Sequence, residues 1–164
     1  SRGFVKSAIG NHQEAIMDFN RSIAINPNYI DAYINRGESR VKLGDFIGAI
    51  ADFSRIITLN PPSPENYYYN RGICHLSRKD YLKAIKDLTH TRNINPNYFT
   101  AYYNRGCCHF ELKDYPAAVN DFSLAIQINP QYIPAYSARG NSYIALGEIS
   151  KADFDFQKVK ELEG

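Results

Sequence analysis

The chain has 164 residues, of which 44% are hydrophobic and 22% are charged, a balance typical of a folded globular protein and not of a disordered tail. Its formal net charge of +2 is too small to indicate a nucleic-acid-binding protein by itself. No stretch approaches the roughly 20 apolar residues that a membrane-spanning helix needs, so no membrane partner is expected.

Two dipeptides recur along the chain at a nearly fixed interval. Asn-Pro occurs at residues 26–27, 60–61, 95–96 and 129–130. Arg-Gly occurs at residues 2–3, 36–37, 71–72, 105–106 and 139–140, with spacings of 34, 35, 34 and 34 residues. A fixed period of this length predicts stacked supersecondary units. The extra residue falls at Pro62-Ser63-Pro64, between predicted units, where it shifts no helix face.

Each unit contains two helix-period patterns separated by breakers. In chain order the predicted repeats cover about 1–29 (partial), 30–64, 65–98, 99–132 and 133–164, within one domain over 1–164. In the fourth repeat, Tyr102 and Phe110 mark the first helix, and Asp114 is the expected cap of the second. Pro116 sits in the first turn of that second helix, and Pro130 ends it.

Three positions of the repeat carry the same kind of residue in every copy when the helix-ending proline is counted as position 32. Position 8 is Gly3, Gly37, Gly72, Gly106 and Gly140. Position 20 is Ala15, Ala49, Ala84, Ala118 and Ala152. Position 24 is Phe19, Phe53, Leu88, Phe122 and Phe156. This pattern resembles the tetratricopeptide repeat over nearly the whole chain.

The resemblance implies an all-α fold, a right-handed superhelical solenoid of antiparallel helix hairpins. Its concave face is expected to be lined by the first helix of each hairpin. The chain departs from the usual pattern at position 7, where Arg replaces the common apolar residue. Position 11, often aromatic in the family, is Lys6, Arg40, His75, His109 and Tyr143.

Two charged positions recur in all five copies. Position 7 is Arg2, Arg36, Arg71, Arg105 and Arg139. Position 23 is Asp18, Asp52, Asp87, Asp121 and Asp155. An Arg beside the close helix contact is costly to bury without a partner, and a carboxylate accepts bidentate hydrogen bonds from a guanidinium. We therefore predict a structural Arg–Asp ion pair in each hairpin. The alternative is a ladder of Arg side chains that binds phosphates or carboxylates.

Asparagines and tyrosines are the candidate binding residues of the concave groove. Because an amide both donates and accepts, evenly spaced Asn side chains suit the backbone of an extended peptide. The predicted groove residues are Asn35, Asn70, Asn104, Tyr69, Tyr103, Asn66 and Lys42. At the Asn positions alone, the chain is similar to the superhelical repeats of the O-linked N-acetylglucosamine transferase. The alternative is a solvated polar face that meets no ligand.

One known function of the family is not expected here. Members that bind heat-shock proteins clamp a C-terminal carboxylate with Lys and Asn at positions 5 and 9, and with further Lys, Asn and Arg in the following repeats. In this chain position 5 is Ile34, Tyr69, Tyr103 and Ser137. The fixed positive charge of a carboxylate clamp is therefore missing.

The sequence gives little support for catalytic activity, for binding of a cofactor or metal ion, or for nucleic-acid binding. No GxSxG, P-loop, HExxH or dinucleotide-binding fingerprint occurs. The cysteines Cys74, Cys107 and Cys108 lack CxxC spacing and are expected to be free thiols, which together with the missing secretory signal favours a cytoplasmic protein. Neighbouring Cys and His on one helix diverge, so no metal site is predicted. Nucleic-acid binding would need Lys and Arg massed on one face.

Two functions from different classes remain. The leading interpretation is a non-enzymatic scaffold that binds an extended or helical segment of another protein in its groove. The alternative is a structural spacer or a stack that self-associates end to end, because Phe154, Val159 and Leu162 are expected to stay uncovered. An adaptor region of a larger enzyme is a third possibility.

Overall fold

The structure, a computed structural model, describes residues 11–164, which form nine α-helices joined by turns. The chain divides into two compact units, with the boundary between Lys79 and Asp80. The first unit holds α1 (His12–Ile25), α2 (Ile30–Lys42), α3 (Phe46–Thr58) and α4 (Pro64–Ser77). The second holds α5 (Tyr81–Ile94), α6 (Phe99–Glu111), α7 (Tyr115–Ile128), α8 (Ile133–Ala145) and α9 (Ile149–Glu163). Within each unit, helices that follow one another in the chain pack together.

The unit boundary falls inside the third predicted repeat, 65–98, between its two helices. The repeats are therefore not themselves the compact units of this chain. A single domain over 1–164 stays a prediction. Gly3 and Arg2, which belong to the first partial repeat, lie outside the described residues.

In the four hairpins whose turns lie within residues 11–164, the turn uses a left-handed backbone residue at position 15. This residue is Gly44, Lys79, Lys113 and Gly147, with φ of 75°, 62°, 62° and 76°. Asp114 then caps α7 by accepting a hydrogen bond from the Ala117 N–H at 3.3 Å, and Asp45 accepts from Gly48 in the same way at 2.9 Å. Each cap satisfies an amide that the first helical turn leaves unpaired. The sequence predicts the Asp114 cap and the placement of Pro116 in the first turn, and both are observed.

The recurring Asn-Pro dipeptide ends the second helix of a hairpin by a local hydrogen bond. The side-chain oxygens of Asn26, Asn95 and Asn129 each accept from the amide two residues later, at 3.1, 3.1 and 3.2 Å. Such a bond offers the backbone an alternative to continuing the helix. Asn60, which precedes the inserted residue, instead adopts a left-handed φ of 52°.

The core of the first unit forms where α2, α3 and α4 meet. Its buried members are Tyr33, Ala49, Phe53, Ile56 and Cys74. The core of the second unit includes a cluster of Tyr102, Ala125 and Ala135, which joins α6, α7 and α8. Both clusters join three consecutive helices, because a lone hairpin has nothing to cover its apolar stripe.

Position 8 glycines allow the two helices of a hairpin to approach closely. A Cβ added at Gly106 would lie 2.7 Å from a ring carbon of Phe122, and one at Gly140 would lie 2.8 Å from Phe156. The pairing of small position 8 with aromatic position 24 is thus the contact that sets the hairpin spacing. No helix in residues 11–164 is long and apolar enough to cross a membrane.

Candidate functional site

In three of the predicted Arg–Asp pairs both residues belong to the same unit, and in each pair the two side chains are hydrogen-bonded. Arg105 donates from Nε and Nη2 to the two carboxylate oxygens of Asp121 at 2.8 and 2.5 Å. Arg139 binds Asp155 in the same fork at 2.8 and 2.7 Å. Arg36 reaches Asp52 with Nη2 at 2.5 Å. The carboxylates are almost completely buried, so the guanidinium is what makes their burial tolerable.

The remaining terminal nitrogen of each guanidinium contacts the preceding hairpin. Nη1 donates to a side-chain oxygen at position 25 of that hairpin, at 2.6 Å for Arg36–Asn20, 3.0 Å for Arg71–Ser54, 3.0 Å for Arg105–Thr89 and 2.9 Å for Arg139–Ser123. Sequence reasoning missed this polar position. It was visible in the repeat alignment, because position 25 is Asn20, Ser54, Thr89, Ser123 and Gln157.

A tyrosine ring covers the face of each position 7 guanidinium within residues 11–164. The distances from Cζ to the ring centroid are 5.3 Å for Arg36 and Tyr33, 5.6 Å for Arg71 and Tyr68, 5.9 Å for Arg105 and Tyr102, and 5.7 Å for Arg139 and Tyr136. These are cation–π distances. The hydrogen bond with Asp155 raises the pKa of Arg139 above its usual value, although burial acts in the opposite direction. The Arg side chains are thus engaged inside the protein on their edges and on one face.

These contacts cover three of the five predicted Arg–Asp pairs, and the other two stand differently. Arg71 and Asp87 lie in different units, so their pairing stays a prediction; Asp87 itself is buried. Arg2, the expected partner of Asp18, lies outside the described residues. Asp18 also receives a 3.5 Å contact from the exposed Arg21, one helical turn away.

Position 11 places a second basic side chain against the buried carboxylate in each of two hairpins. Arg40 spans Asp45 and Asp52, at 3.5 and 2.7 Å. His109 takes the same place in the second unit, with ring nitrogens 3.6 Å from Asp114 and 3.8 Å from Asp121. The departure from an aromatic at position 11 therefore has a local reason, since the side chain there faces carboxylates.

The surface formed by the first helices of the hairpins carries the predicted groove residues, and we call it the first-helix face. In the first unit it is defined by Asp31, Asn35, Glu38 and Lys42 on α2 and by Asn66, Tyr69, Asn70, Ile73 and Ser77 on α4. In the second unit it is defined by Thr100, Tyr103, Asn104, Cys107 and Glu111 on α6 and by Ala138 and Asn141 on α8. Apart from the adjacent pairs Tyr69–Asn70 and Tyr103–Asn104, neighbours in each set are three or four residues apart, which places each set on one side of its helix.

A cavity of about 240 Å³ opens in the first-helix face of the first unit. Two predicted groove residues, Lys42 and Asn70, line it together with Glu38 and Ser77. Its apolar lining consists of Val41, Phe46, Phe53, Ile73 and Cys74. Phe53 and Cys74 belong to the buried core, so the cavity is bounded on its inner side by the core itself.

The second unit has a smaller cavity at the same repeat positions. Its volume is about 120 Å³, and its lining consists of Cys107, Phe110, Glu111, Phe122, Ala138 and Asn141. Position 12 is Phe110 here and Val41 in the first unit, and the Phe110 ring occupies more volume than the Val41 side chain. Position 6 is Ala138 here and Asn70 in the first unit, so the amide beside the cavity is absent.

The other predicted groove residues have distinct environments. Asn66 is exposed, and Tyr69 is half-buried. Asn35 and Asn104 each donate from Nδ2 to the carbonyl four residues earlier, at 2.7 and 2.8 Å. These bonds fix the amides against their own helices.

Tyr103 has a packing role in addition to its place on the first-helix face. Its ring contacts Phe122 at a centroid distance of 5.8 Å and Tyr132, edge to face, at 5.1 Å. Burial, with the neighbouring Cys107, raises its pKa far above the usual value. Truncating Tyr103 would therefore disturb the fold as well as the face.

The cysteines have the properties of buried thiols. All three are free, and burial raises the pKa of Cys74 and Cys107 to about 11 and that of Cys108 to about 12. A catalytic cysteine requires the opposite shift, since the thiolate is the nucleophile. Across residues 11–164, no group of three or more His, Cys, Asp or Glu side chains is placed to hold a metal ion.

Comparison with known proteins identifies the family. Models described as tetratricopeptide repeat match residues 34–89, 99–132, and 1–29 together with 133–164. The chain belongs to the tetratricopeptide repeat family and has its all-α solenoid fold. As a member of that family, it is a protein-interaction scaffold. Among curated proteins, none matches the chain.

Solved structures show the same fold. A crystal structure of MamA is 24% identical, has a TM-score of 0.95, and aligns over 99% of this chain and 95% of its own. MamA residues 41–end from Desulfovibrio magneticus RS-1 are 22% identical, with a TM-score of 0.92 over 98% of this chain and 90% of that one. YrrB, described as a TPR protein with an unusual peptide-binding site, is 16% identical, with a TM-score of 0.85 over 98% and 82%.

Proposed function

We propose that the chain is a non-enzymatic scaffold that binds an extended peptide segment of another protein on its first-helix face. The observation that carries this proposal is the cavity of the first unit. It combines an apolar floor that includes Phe53 and Ile73 with the amide of Asn70 and the charges of Glu38 and Lys42. A peptide needs both kinds of group, because its side chains are read by pockets and its backbone by polar groups.

The size of the cavity favours a single side chain as its occupant. About 240 Å³ is below the range of 300 to 1,000 Å³ that is typical of small-molecule and cofactor sites. No cofactor is therefore part of the proposal. Asn70 is half-buried beside the cavity, where its amide can donate to and accept from a peptide unit.

The charged residues support binding rather than catalysis or nucleic-acid recognition. The position 7 Arg side chains of both units bind protein carboxylates and hydroxyls, so they do not form a phosphate-binding ladder in this proposal. The carboxylates Asp31 and Glu38 accompany Lys42 on the face of α2, which does not suit the clamping of a heat-shock protein's terminal carboxylate. The peptide-binding site in the description of YrrB, a protein of the same fold, is compatible with the proposal.

The test is selection of a random-peptide display library on the chain, followed by affinity measurement of the enriched peptides. The test variant is Asn70→Ala/Ile73→Ala, which removes the amide and one wall of the cavity. Its matched control is Asn93→Ala/Ile94→Ala on α5, where both side chains are exposed. We expect at least a tenfold loss of affinity in the test variant and none in the control, with both variants folded by circular dichroism. Equal affinities for all three proteins would show that the peptides bind elsewhere.

End-to-end self-association is the second candidate, and one observation favours it. The side chain of Phe154 is 66% exposed, beside an open cavity of about 350 Å³ lined also by Tyr136, Gln157, Lys158 and Glu161. An aromatic ring left in solvent at this site is suited to a contact with another molecule. Val159 and Leu162 on the same helix are half-buried.

A further inference from the structure

The cavity of the first unit lies at one end of a row of negative charges. Glu38 lines the cavity, and Asp31 lies seven residues earlier on the same side of α2, which is about 10 Å along the helix axis. Both carboxylates belong to exposed residues. Glu65, at the start of α4, adds a third carboxylate nearby, as the environment of Tyr67 shows.

The phenol of Tyr67 lies close enough to Asp31, Glu38 and Glu65 to feel their negative charges. Its ring packs partly buried against the core of the first unit, next to the residues that line the cavity. Burial raises the pKa of its phenol, and so do the negative charges of Asp31, Glu38 and Glu65. The three carboxylates therefore act on one place on α4, although they come from two helices.

The balancing cation lies at the other end of the cavity. Lys42 lines it four residues after Glu38, towards the C-terminal end of α2. Arg40, the other cation of that turn, points to Asp45 and Asp52. The side of the cavity that faces the start of α2 is thus negative, while the chain as a whole carries a formal charge of +2. A ligand that binds here is selected by the local charge.

We propose that the ligand is a peptide with a large aliphatic or aromatic side chain in the cavity and basic residues on the side that faces Glu38 and Asp31. This inference rests on the proposed function and specifies its ligand. An extended chain advances about 3.3 Å per residue, so the 10 Å between Asp31 and Glu38 corresponds to about three peptide residues. The expected pattern is therefore an apolar anchor, a Lys or Arg beside it, and a second one about three residues further.

The test uses four pools of synthetic fluorescent peptides. Each pool has a central Leu or Ala, flanked at the two stated positions by Lys or by Glu, in a background of Gly, Ser and Asn. The Leu–Lys pool is expected to bind most tightly by fluorescence anisotropy. Replacing Leu by Ala should weaken binding at least tenfold, because the cavity then stays unfilled. Replacing Lys by Glu should weaken it at least fivefold, and added salt should reduce that difference.

Two variants with the same change of net charge locate the effect. Glu38→Gln should weaken binding of the Leu–Lys pool about two- to fivefold, the range expected for one solvent-exposed charge pair. Glu163→Gln, an exposed carboxylate near the end of α9, should leave it unchanged. Equal effects of the two variants would mean a general attraction of positive peptides and would overturn the inference.

The outcomes separate the ligand chemistry from the function itself. If the Leu–Glu or Ala–Lys pool binds as tightly as the Leu–Lys pool, and that binding is lost in Asn70→Ala/Ile73→Ala, the ligand chemistry is wrong and the proposed function stands. If binding of no pool depends on Asn70→Ala/Ile73→Ala, both are contradicted. Selective Leu–Lys binding that is lost in Asn70→Ala/Ile73→Ala and weakened about two- to fivefold in Glu38→Gln supports both.

Discussion

At the scale of single residues, the Arg at position 7 has more partners than a simple ion pair. Arg105 binds the carboxylate of Asp121 with two nitrogens and the hydroxyl of Thr89, from the preceding hairpin, with a third. The ring of Tyr102 covers one face. The same side chain therefore connects both helices of its own hairpin and the helix before them.

The stability contributed by this arrangement is open to direct measurement. Asp121 is 1% exposed and Arg105 is 9% exposed, so removing the carboxylate leaves a buried cation with its main partner gone. We expect Asp121→Ala to lower the free energy of unfolding by about 3 to 5 kcal/mol, the range for breaking a buried pair. Urea denaturation followed by circular dichroism measures it.

Asp153→Ala is the matched control, since Asp153 is an exposed residue of α9. It should change the free energy of unfolding by no more than about 0.5 kcal/mol. An Asp121→Ala protein as stable as this control would show that the Arg–Asp pair is not structural, and would reopen the alternative in which the Arg side chains bind an anionic ligand.

At the scale of helices and hairpins, the close contact between positions 8 and 24 sets how near two paired helices lie. A Cβ at Gly106 would lie 2.7 and 2.9 Å from ring carbons of Phe122, a residue with no exposed surface. The ring also lines the cavity of about 120 Å³, so relieving this contact requires the ring to shift towards that cavity. Gly37 is more permissive, because its added Cβ would lie 3.1 Å from Phe53.

We therefore expect Gly106→Ala to destabilise the protein by about 1 to 3 kcal/mol through overpacking, despite the better helix propensity of Ala. Gly37→Ala should cost clearly less. Thermal unfolding of the two variants alongside the unchanged protein measures the difference. If Gly106→Ala proves neutral or stabilising, the close contact is not what fixes the hairpin spacing.

Much of the hairpin architecture could be predicted from the sequence. The Arg-Gly and Asn-Pro periods place the hairpins, and Asp114 and Pro116 mark the start of a helix through local chemistry. The 16-residue separation of Arg105 and Asp121 recurs in the repeat, so pairing followed from register. The position 25 contacts were equally accessible to this reasoning and were missed because the position varies between Asn, Ser, Thr and Gln.

The cavities could not be predicted in the same way. They depend on which side chains fill the space between neighbouring hairpins, and a change from Val41 to Phe110 accompanies a halving of the volume from about 240 to about 120 Å³. Likewise, the packing of Tyr103 against Tyr132 depends on side-chain rotamers that periodicity does not encode. Register identifies the face, but side-chain packing decides what the face can hold.

At the scale of the whole molecule, the two compact units present the same repeat positions with different chemistry. The first-helix face of the first unit carries the larger cavity, the Asn70 amide and the carboxylates of α2. That of the second unit carries a smaller cavity beside Cys107 and Glu111. We therefore expect the main anchoring of a peptide to lie in the first unit, with no equivalent anchor in the second.

The most direct test of the central claim is a map of the binding surface by ¹H–¹⁵N NMR during titration with a display-selected peptide. We expect the largest chemical-shift changes on Glu38, Lys42, Asn70 and Ile73, with smaller changes in the second unit. Changes confined to the exposed sides of α3, α5 and α7, or to the surroundings of Phe154, would contradict it.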